Sequence, residues 1–249
     1  MSRQATLIVG GYGGVGAALA DALAEQEPKT LLLRSRRAQS AVTANSEGAE
    51  HALALDLRDT RQYADFAAAV KARLAAADAT LTRLLIASGI LQTAAQRPER
   101  GLRELDAAAF HELMTVDALG PLLVVQALLP LLPRREASHI AVLSARVGSI
   151  GDNRLGGWYS YRCAKAALNQ GFVTLSRELA RSHKHCQVTL LHPGTVDTAL
   201  AAPFRDSAPD DSLQTPAQSA AHLLAVMQAR EAAEPGIAYL DWAGKPIPW

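Results

Sequence analysis

Near its start the chain runs from a short apolar segment, Ala5–Val9, straight into Gly10-Gly11-Tyr12-Gly13-Gly14-Val15-Gly16 and the Ala- and Leu-rich segment Gly14–Gln26. An apolar run bounded by glycines reads as a strand buried on both faces, and Gly14–Gln26 reads as a helix that stops near Pro28. A strand that turns through glycines directly into a helix commits the chain to a parallel sheet, because the helix must cross back over the sheet before the next strand begins. The rest of the chain repeats that pattern. Thr30–Leu33, His51–Leu55, Leu84–Ala87, Ile140–Leu143, Val188–Leu191 and Ile237–Leu240 read as further strands. Thr60–Ala77, Ala107–Leu132, Tyr161–Arg181 and Thr215–Arg230 read as helices, the second of them broken or kinked around Gly120–Pro121.

Right-handed crossovers between such units give a Rossmann-type, doubly wound α/β fold of about seven parallel strands with helices on both faces. No repeat or linker divides the chain, so residues 1–249 read as one domain. Ala201–Gln214, a run of Pro, Asp, Ser and Ala between a strand and a helix, reads either as a lid over a ligand cleft or as an ordinary surface loop.

Bulk properties remove several classes of function. With a net charge of +1 there is no basic surface to bind nucleic acid or an anionic membrane. No uncharged apolar run approaches the roughly 20 residues that span a bilayer, and the N-terminus lacks a secretory pattern, so the cytoplasm is the expected location. The seven His residues form no cluster with metal-ligand spacing, and no metal is expected. Cys163 and Cys186 suggest no disulfide framework and read as small buried hydrophobes.

The glycine turn carries a chemical expectation. Gly10, Gly14 and Gly16 fit G-x-x-x-G-x-G, with Tyr12, Gly13 and Val15 between them. Glycines at the mouth of a helix let the backbone approach a pyrophosphate, and the free N–H groups of the first turn supply donors and positive potential. The second strand ends in Arg34-Ser35-Arg36-Arg37, with no acid available until Glu47. An acid there would hold a ribose 2′-hydroxyl, whereas arginines suit a 2′-phosphate. NADP(H) is therefore expected over NAD(H), which stays possible. Asp56 and Leu57 are placed to meet the adenine edge, and Ala87, Ser88 and Gly89 to pass under the adenosine ribose. Pro193, Gly194, Val196 and Thr198 shape a turn after the sixth strand that could hold a carboxamide. His192 beside them reads as a strand-end residue rather than a catalyst.

Tyr161 and Lys165 are one turn apart on a helix, so their side chains share a face. A lysine ammonium close to a phenol is expected to lower its pKa and suit it to exchange a proton with a carbonyl or alcohol. The lysine could also hydrogen-bond the nicotinamide ribose.

Taken together and in this order, these elements resemble the short-chain dehydrogenase/reductase family, in its single-domain, C-factor-like subgroup. The segments Leu143–Ile150, Gly156–Tyr161 and Asp241–Trp249 carry the subgroup likeness. The resemblance implies a catalytic Asn–Ser–Tyr–Lys set, and Tyr161 and Lys165 match it directly. Asp117 stands where the family has Asn, and Ala145 where it has Ser. Ser144 is the preferred substitute hydroxyl, Ser149 the second choice, and the absence of any such hydroxyl the third. The implied partner is a small carbonyl or alcohol, and the implied assembly a homodimer or homotetramer packed through Ala107–Leu132 and the Tyr–Lys helix. Two other readings stay open: a nucleotide-binding signalling protein with little or no turnover, and an epimerase or dehydratase of nucleotide sugars. The second of these usually needs a larger C-terminal region than this chain has.

Overall fold

The computed structural model describes residues 3–37, 52–201 and 213–249. Its main sheet has seven parallel strands: β1 (Arg3–Val9), β2 (Leu31–Arg36), β3 (Leu53–Ala54), β4 (Ala79–Ile86), β5 (Ser138–Leu143), β6 (Cys186–His192) and β9 (Ile237–Asp241). Their order across the sheet is β3-β2-β1-β4-β5-β6-β9. The order reverses between β1 and β4, which opens a crevice beyond their C-terminal ends. Two short strands, β7 (Thr195–Val196) and β8 (Leu213–Gln214), pair in parallel beside it. β8 is the described end of the Ala201–Gln214 segment. Residues 202–212, and His51 in the third expected strand, lie outside the described residues.

Helices α1 (Gly14–Gln26) and α6 (Pro216–Glu231) cover one face of the sheet. Their apolar side chains Leu19, Leu23, Leu223 and Met227 pack on Ile8, Leu85, Ala141 and Leu191. Helices α2 (Gln62–Ala76), α4 (Gly120–Leu128) and α5 (Tyr159–Ser182) cover the other. There Phe66, Val70, Val124, Leu128, Leu168 and Phe172 meet Leu7, Leu84, Ile140 and Val188. Each central strand thus sends alternate residues into two separate cores, which is why these strands read as unbroken apolar runs. α6 starts on a reciprocal cap: Thr215 accepts from the Gln218 N–H, and the Gln218 side chain returns to Thr215.

Three expectations are corrected. β4 begins at Ala79 rather than Leu84, because the polar residues Thr80, Thr82 and Arg83 interrupt the apolar signal while continuing the strand. α5 begins at Tyr159 rather than Tyr161, so Tyr161 lies in its first turn. The expected kink at Gly120–Pro121 moves upstream. Helix α3 (Ala107–Met114) passes through a π turn at Thr115–Leu119 into α4, where Pro121 sits in the first turn and its missing N–H costs least. The stretch Ala107–Leu131 is long and apolar enough to cross a membrane, but half of it is buried within the fold and the π turn buries Asp117 completely.

Candidate active site

The cofactor crevice starts at the glycine turn. Gly10 has φ +84, and a Cβ there would lie 2.9 Å from the Ser88 amide nitrogen. A Cβ on Gly16 would come within 2.3 Å of the Gly10 carbonyl oxygen, so β1 and α1 can approach this closely only without side chains. By contrast, Gly13 faces open space. It caps α1, whose first turn has no capping side chain and no acidic residue. The donors at this helix start therefore point into a solvent-accessible cradle, which fits a pyrophosphate.

Around the cradle each expected residue has a definite position. The Arg34 guanidinium carbon lies 4.3 Å from the Tyr12 ring centroid, and its Nε donates to the Gly11 carbonyl at 2.7 Å. Arg36 lies 5.8 Å from the same ring, and its Nη1 is buried with no partner among the described residues. Ser35 is buried and accepts from the Gly10 N–H at 3.4 Å, so it braces the turn. Asp56 accepts from the Arg58 N–H at 3.0 Å, and Leu57 is buried beneath Gly120. The Ala87 N–H donates to the Val9 carbonyl at 2.8 Å, and the Ser88 hydroxyl has no partner among the described residues. Val15 packs against the α1/α6 core.

On the far side, Gly194 has φ +83 and would clash with Gln214 and Trp242 if it carried a Cβ. The Pro193 carbonyl accepts from Ser219 at 2.9 Å, Val196 is buried, and the Thr198 methyl abuts Gly14. The turn after β6 thereby reaches back to the mouth of α1. Burial pushes the His192 pKa down to about 4, so it stays neutral.

At the reaction centre Tyr161, Lys165 and Asp117 converge from α5 and the π turn. The Lys165 Nζ lies 5.6 Å from the Tyr161 ring centroid and 4.0 Å from Asp117 Oδ2, and it donates to the Leu143 carbonyl at 3.2 Å. Asp117 Oδ1 accepts from the Ile90 N–H at 2.8 Å, while Oδ2 is buried without a hydrogen bond among the described residues. Burial raises the Asp117 pKa to about 6, against the opposing pull of Lys165 and the Ile90 N–H. Burial also pushes the Tyr161 phenol far above its ordinary value, and the charges of Asp117 and Tyr239 add to the rise. The expected lowering by lysine is absent here, because burial and the nearby Asp117 carboxylate dominate.

The hydroxyl candidates are already engaged. Ser144 donates to Asn169 Oδ1 at 2.7 Å, and Ser149 accepts from the Asp152 N–H at 3.0 Å. The Ala145 carbonyl accepts from the Tyr239 hydroxyl at 2.6 Å. Sequence reasoning missed Asn169, Tyr239, Trp158 and Glu99. Asn169 had a signal, since it lies one turn beyond Lys165 on the same helix face. The Trp158 ring stands edge-on to Tyr161 at 6.2 Å between centroids.

The short chain dehydrogenase family model matches residues 4–209. That span contains the glycine turn, the π-turn carboxylate and the Tyr–Lys helix. The chain belongs to the short-chain dehydrogenase family. NAD(P)H-dependent oxidoreductase chemistry follows from that membership.

Among similar proteins is 1-hydroxy-2-glutathionyl-2-methyl-3-butene dehydrogenase of Rhodococcus sp. (strain AD45), 38% identical over 120 residues, or 48% of this chain and 50% of that one. The C-signal protein of Myxococcus xanthus is 35% identical over 148 residues, 59% of this chain and 83% of its own. A short-chain dehydrogenase/reductase from Burkholderia multivorans, solved with bound NADP, superposes with a TM-score of 0.81 at 27% identity, covering 100% of both chains.

Proposed function

We propose that this chain is an NADP(H)-preferring reductase of small carbonyl compounds, or a dehydrogenase of the matching alcohols, with NAD(H) usable. The observation that carries the reading is the convergence of Tyr161, Lys165 and Asp117 beside a side-chain-free glycine cradle at the topological switch of the sheet. Bound across the crevice, the nicotinamide nucleotide supplies or accepts the hydride.

The chain's own residues do the rest. The first-turn amides of Gly14, Val15 and Gly16 hold the pyrophosphate over the open backbone at Gly13. Arg36, with its unpaired Nη1, and Arg34 take the 2′-phosphate; Asp56 and Leu57 border the adenine, and Ala87, Ser88 and Gly89 the ribose. Pro193, Gly194, Val196 and Thr198 hold the carboxamide end. Tyr161 keeps its proton through the neutral range because its phenol is buried beside a carboxylate, and so donates it to a carbonyl oxygen. Lys165, anchored on the Leu143 carbonyl with its Nζ 4.0 Å from the Asp117 carboxylate, steadies the phenol as its proton leaves. Ser144 orients the substrate after exchanging its bond to Asn169.

The bound NADP in the Burkholderia relative supports the cofactor preference. The test is turnover of diacetyl and benzaldehyde with NADPH against NADH. A clear preference for NADH would refute the arginine argument. A second reading, a nucleotide-binding signalling protein with little turnover, is favoured by Ala145 and by two serine hydroxyls tied up elsewhere. Tight NADPH binding by titration with no carbonyl reduced would support it. We further propose a homodimer or homotetramer packed through Ala107–Leu132, on which Leu119 is exposed, and α5. Light scattering would decide it.

A further inference from the structure

We propose that Glu99 is a positioning residue for Tyr161, acting from a distant loop as the missing cap of α5. The inference rests on the role given to Tyr161 above.

α5 begins in an unusual way. Gly156, Gly157 and Trp158 all adopt left-handed backbone conformations, with φ of 65, 67 and 52. Trp158, in the capping position, offers no side-chain acceptor to the first turn. The helix start would therefore be short of acceptors for its free N–H groups. Glu99 supplies them from outside. Its carbonyl accepts from the Trp158 N–H at 2.6 Å, and both carboxylate oxygens lie 3.3 Å from the Ser160 amide nitrogen. The Ser160 hydroxyl donates to the same carboxylate. The Glu99 side chain is 2% exposed, and no cation pairs with it among the described residues. A buried carboxylate without a cation is tolerated where a helix start and a hydroxyl donate to it.

Tyr161 follows Ser160, so the turn that Glu99 holds is the turn that aims the phenol. Arg162 braces the same approach, donating to the Gly156, Gly157 and Val147 carbonyls. The loop that carries Glu99 is anchored at its other end as well, where the Ile90 N–H donates to Asp117. The segment between Ile90 and Glu99 thus connects the two ionisable groups whose placement sets the reaction centre.

The experiment compares Glu99→Ala and Glu99→Gln with the wild type. Gln can still accept from Ser160 N–H and bond its hydroxyl, whereas Ala cannot. Misplacing a reacting group by about 1 Å can cost roughly a hundredfold, so Glu99→Ala should lower kcat for diacetyl or benzaldehyde by about tenfold to a hundredfold. NADPH Kd should stay within about twofold, since no cofactor contact changes, and Glu99→Gln should recover most of kcat. Hydrogen exchange at the Ser160–Arg162 amides should quicken in Glu99→Ala and not in Glu99→Gln. If Glu99→Ala does not fold, Glu99→Asp, too short to reach Ser160, replaces it. Unchanged kcat and exchange would overturn the proposal, as would a loss of NADPH affinity in step with kcat. A wild type that reduces neither carbonyl sinks the reductase reading, and the exchange comparison then decides the role of Glu99 alone.

Discussion

Arg83 on β4, partly exposed, and Asp117 on the π turn, fully buried, are both charged groups held against the sheet, and the protein treats them in opposite ways. Arg83 lies between Glu27 at the end of α1 and Glu231 at the end of α6, donating to both carboxylates at 2.6 to 2.9 Å. Glu231 also meets His139, whose other ring nitrogen contacts Thr189 at 2.9 Å. Every charged group in this cluster has a partner at hydrogen-bond distance. Asp117 has one oxygen satisfied by Ile90 and the other facing Lys165 at 4.0 Å without a bond. A closed cluster fixes helices to the sheet. An open one, beside a neutral phenol, can take up and release protons. Substitutions should therefore separate, with activity falling at one cluster and stability at the other.

The largest effect belongs to Tyr161→Phe. Losing a general acid costs at least about 100-fold in turnover, and the phenol makes no hydrogen bond among the described residues whose loss would unfold the chain. Steady-state NADPH oxidation and a thermal melt would show a collapse of kcat with little change in Tm. Wild-type rates would dismiss the mechanism. Arg83→Ala should do the reverse. It leaves Glu27 and Glu231 without their cation and should cost about 2–3 kcal/mol of stability, below the range for a fully buried pair because the cluster is partly exposed. Urea unfolding would read that loss, while activity per folded molecule should stay within about twofold of wild type.

The pH dependence of stability sharpens the contrast. The folded pKa of Asp117 is raised to about 6, so the unfolded chain loses this proton first as pH rises. Stability is then lost between about pH 4 and pH 6. Glu231 is lowered to about 2 because His139 and Arg83 hold its ionised form against the opposing effect of burial. Its contribution is present above about pH 4.5 and disappears as pH falls toward 2. Asp117→Asn should therefore gain on the wild type by about 1–2 kcal/mol from pH 4 to pH 7, seen in urea midpoints at the two values. A constant difference across that range would mean that folding does not raise the Asp117 pKa above its unfolded value.

The same contrast explains what could be read in the sequence. The cradle and the Tyr–Lys pair are local: Gly10 to Gly16 lie within one turn, and Tyr161 and Lys165 within one helix. Their geometry follows from backbone rules that a sequence obeys segment by segment. The partners that set the chemistry are not local. Glu99 meets Ser160 across 61 residues, Ile90 meets Asp117 across 27, and Ser144 meets Asn169 across 25. Nothing in a spacing rule announced that Ser144 would be spent on Asn169, or that Lys165 would turn to Leu143. The start of β4 was hidden for a related reason. Arg83 looks like a loop residue until the carboxylates of two helices close around it.

Arg36 gives the finest test, because it is the counterpart of Arg83 on another strand of the same sheet. Both are arginines in parallel strands, but the guanidinium of Arg83 is enclosed by two carboxylates and Arg36 keeps an Nη1 near Tyr12 that has no partner among the described residues. Leaving a buried guanidinium nitrogen unsatisfied costs free energy that a phosphate could return through charge-assisted bonds. Arg36→Ala should therefore weaken NADPH binding by about tenfold while NADH binding changes little, since the two cofactors differ only at the 2′ position. Fluorescence titration of each cofactor would measure it. Arg34→Ala should behave differently, because Arg34 also holds the Gly11 carbonyl and the Tyr12 ring that form the turn itself. Its loss should weaken both cofactors together. Equal effects of the two substitutions on NADPH and NADH would show that neither arginine reads the 2′-phosphate, and that the unpaired nitrogen of Arg36 has no more functional meaning than the closed cluster around Arg83.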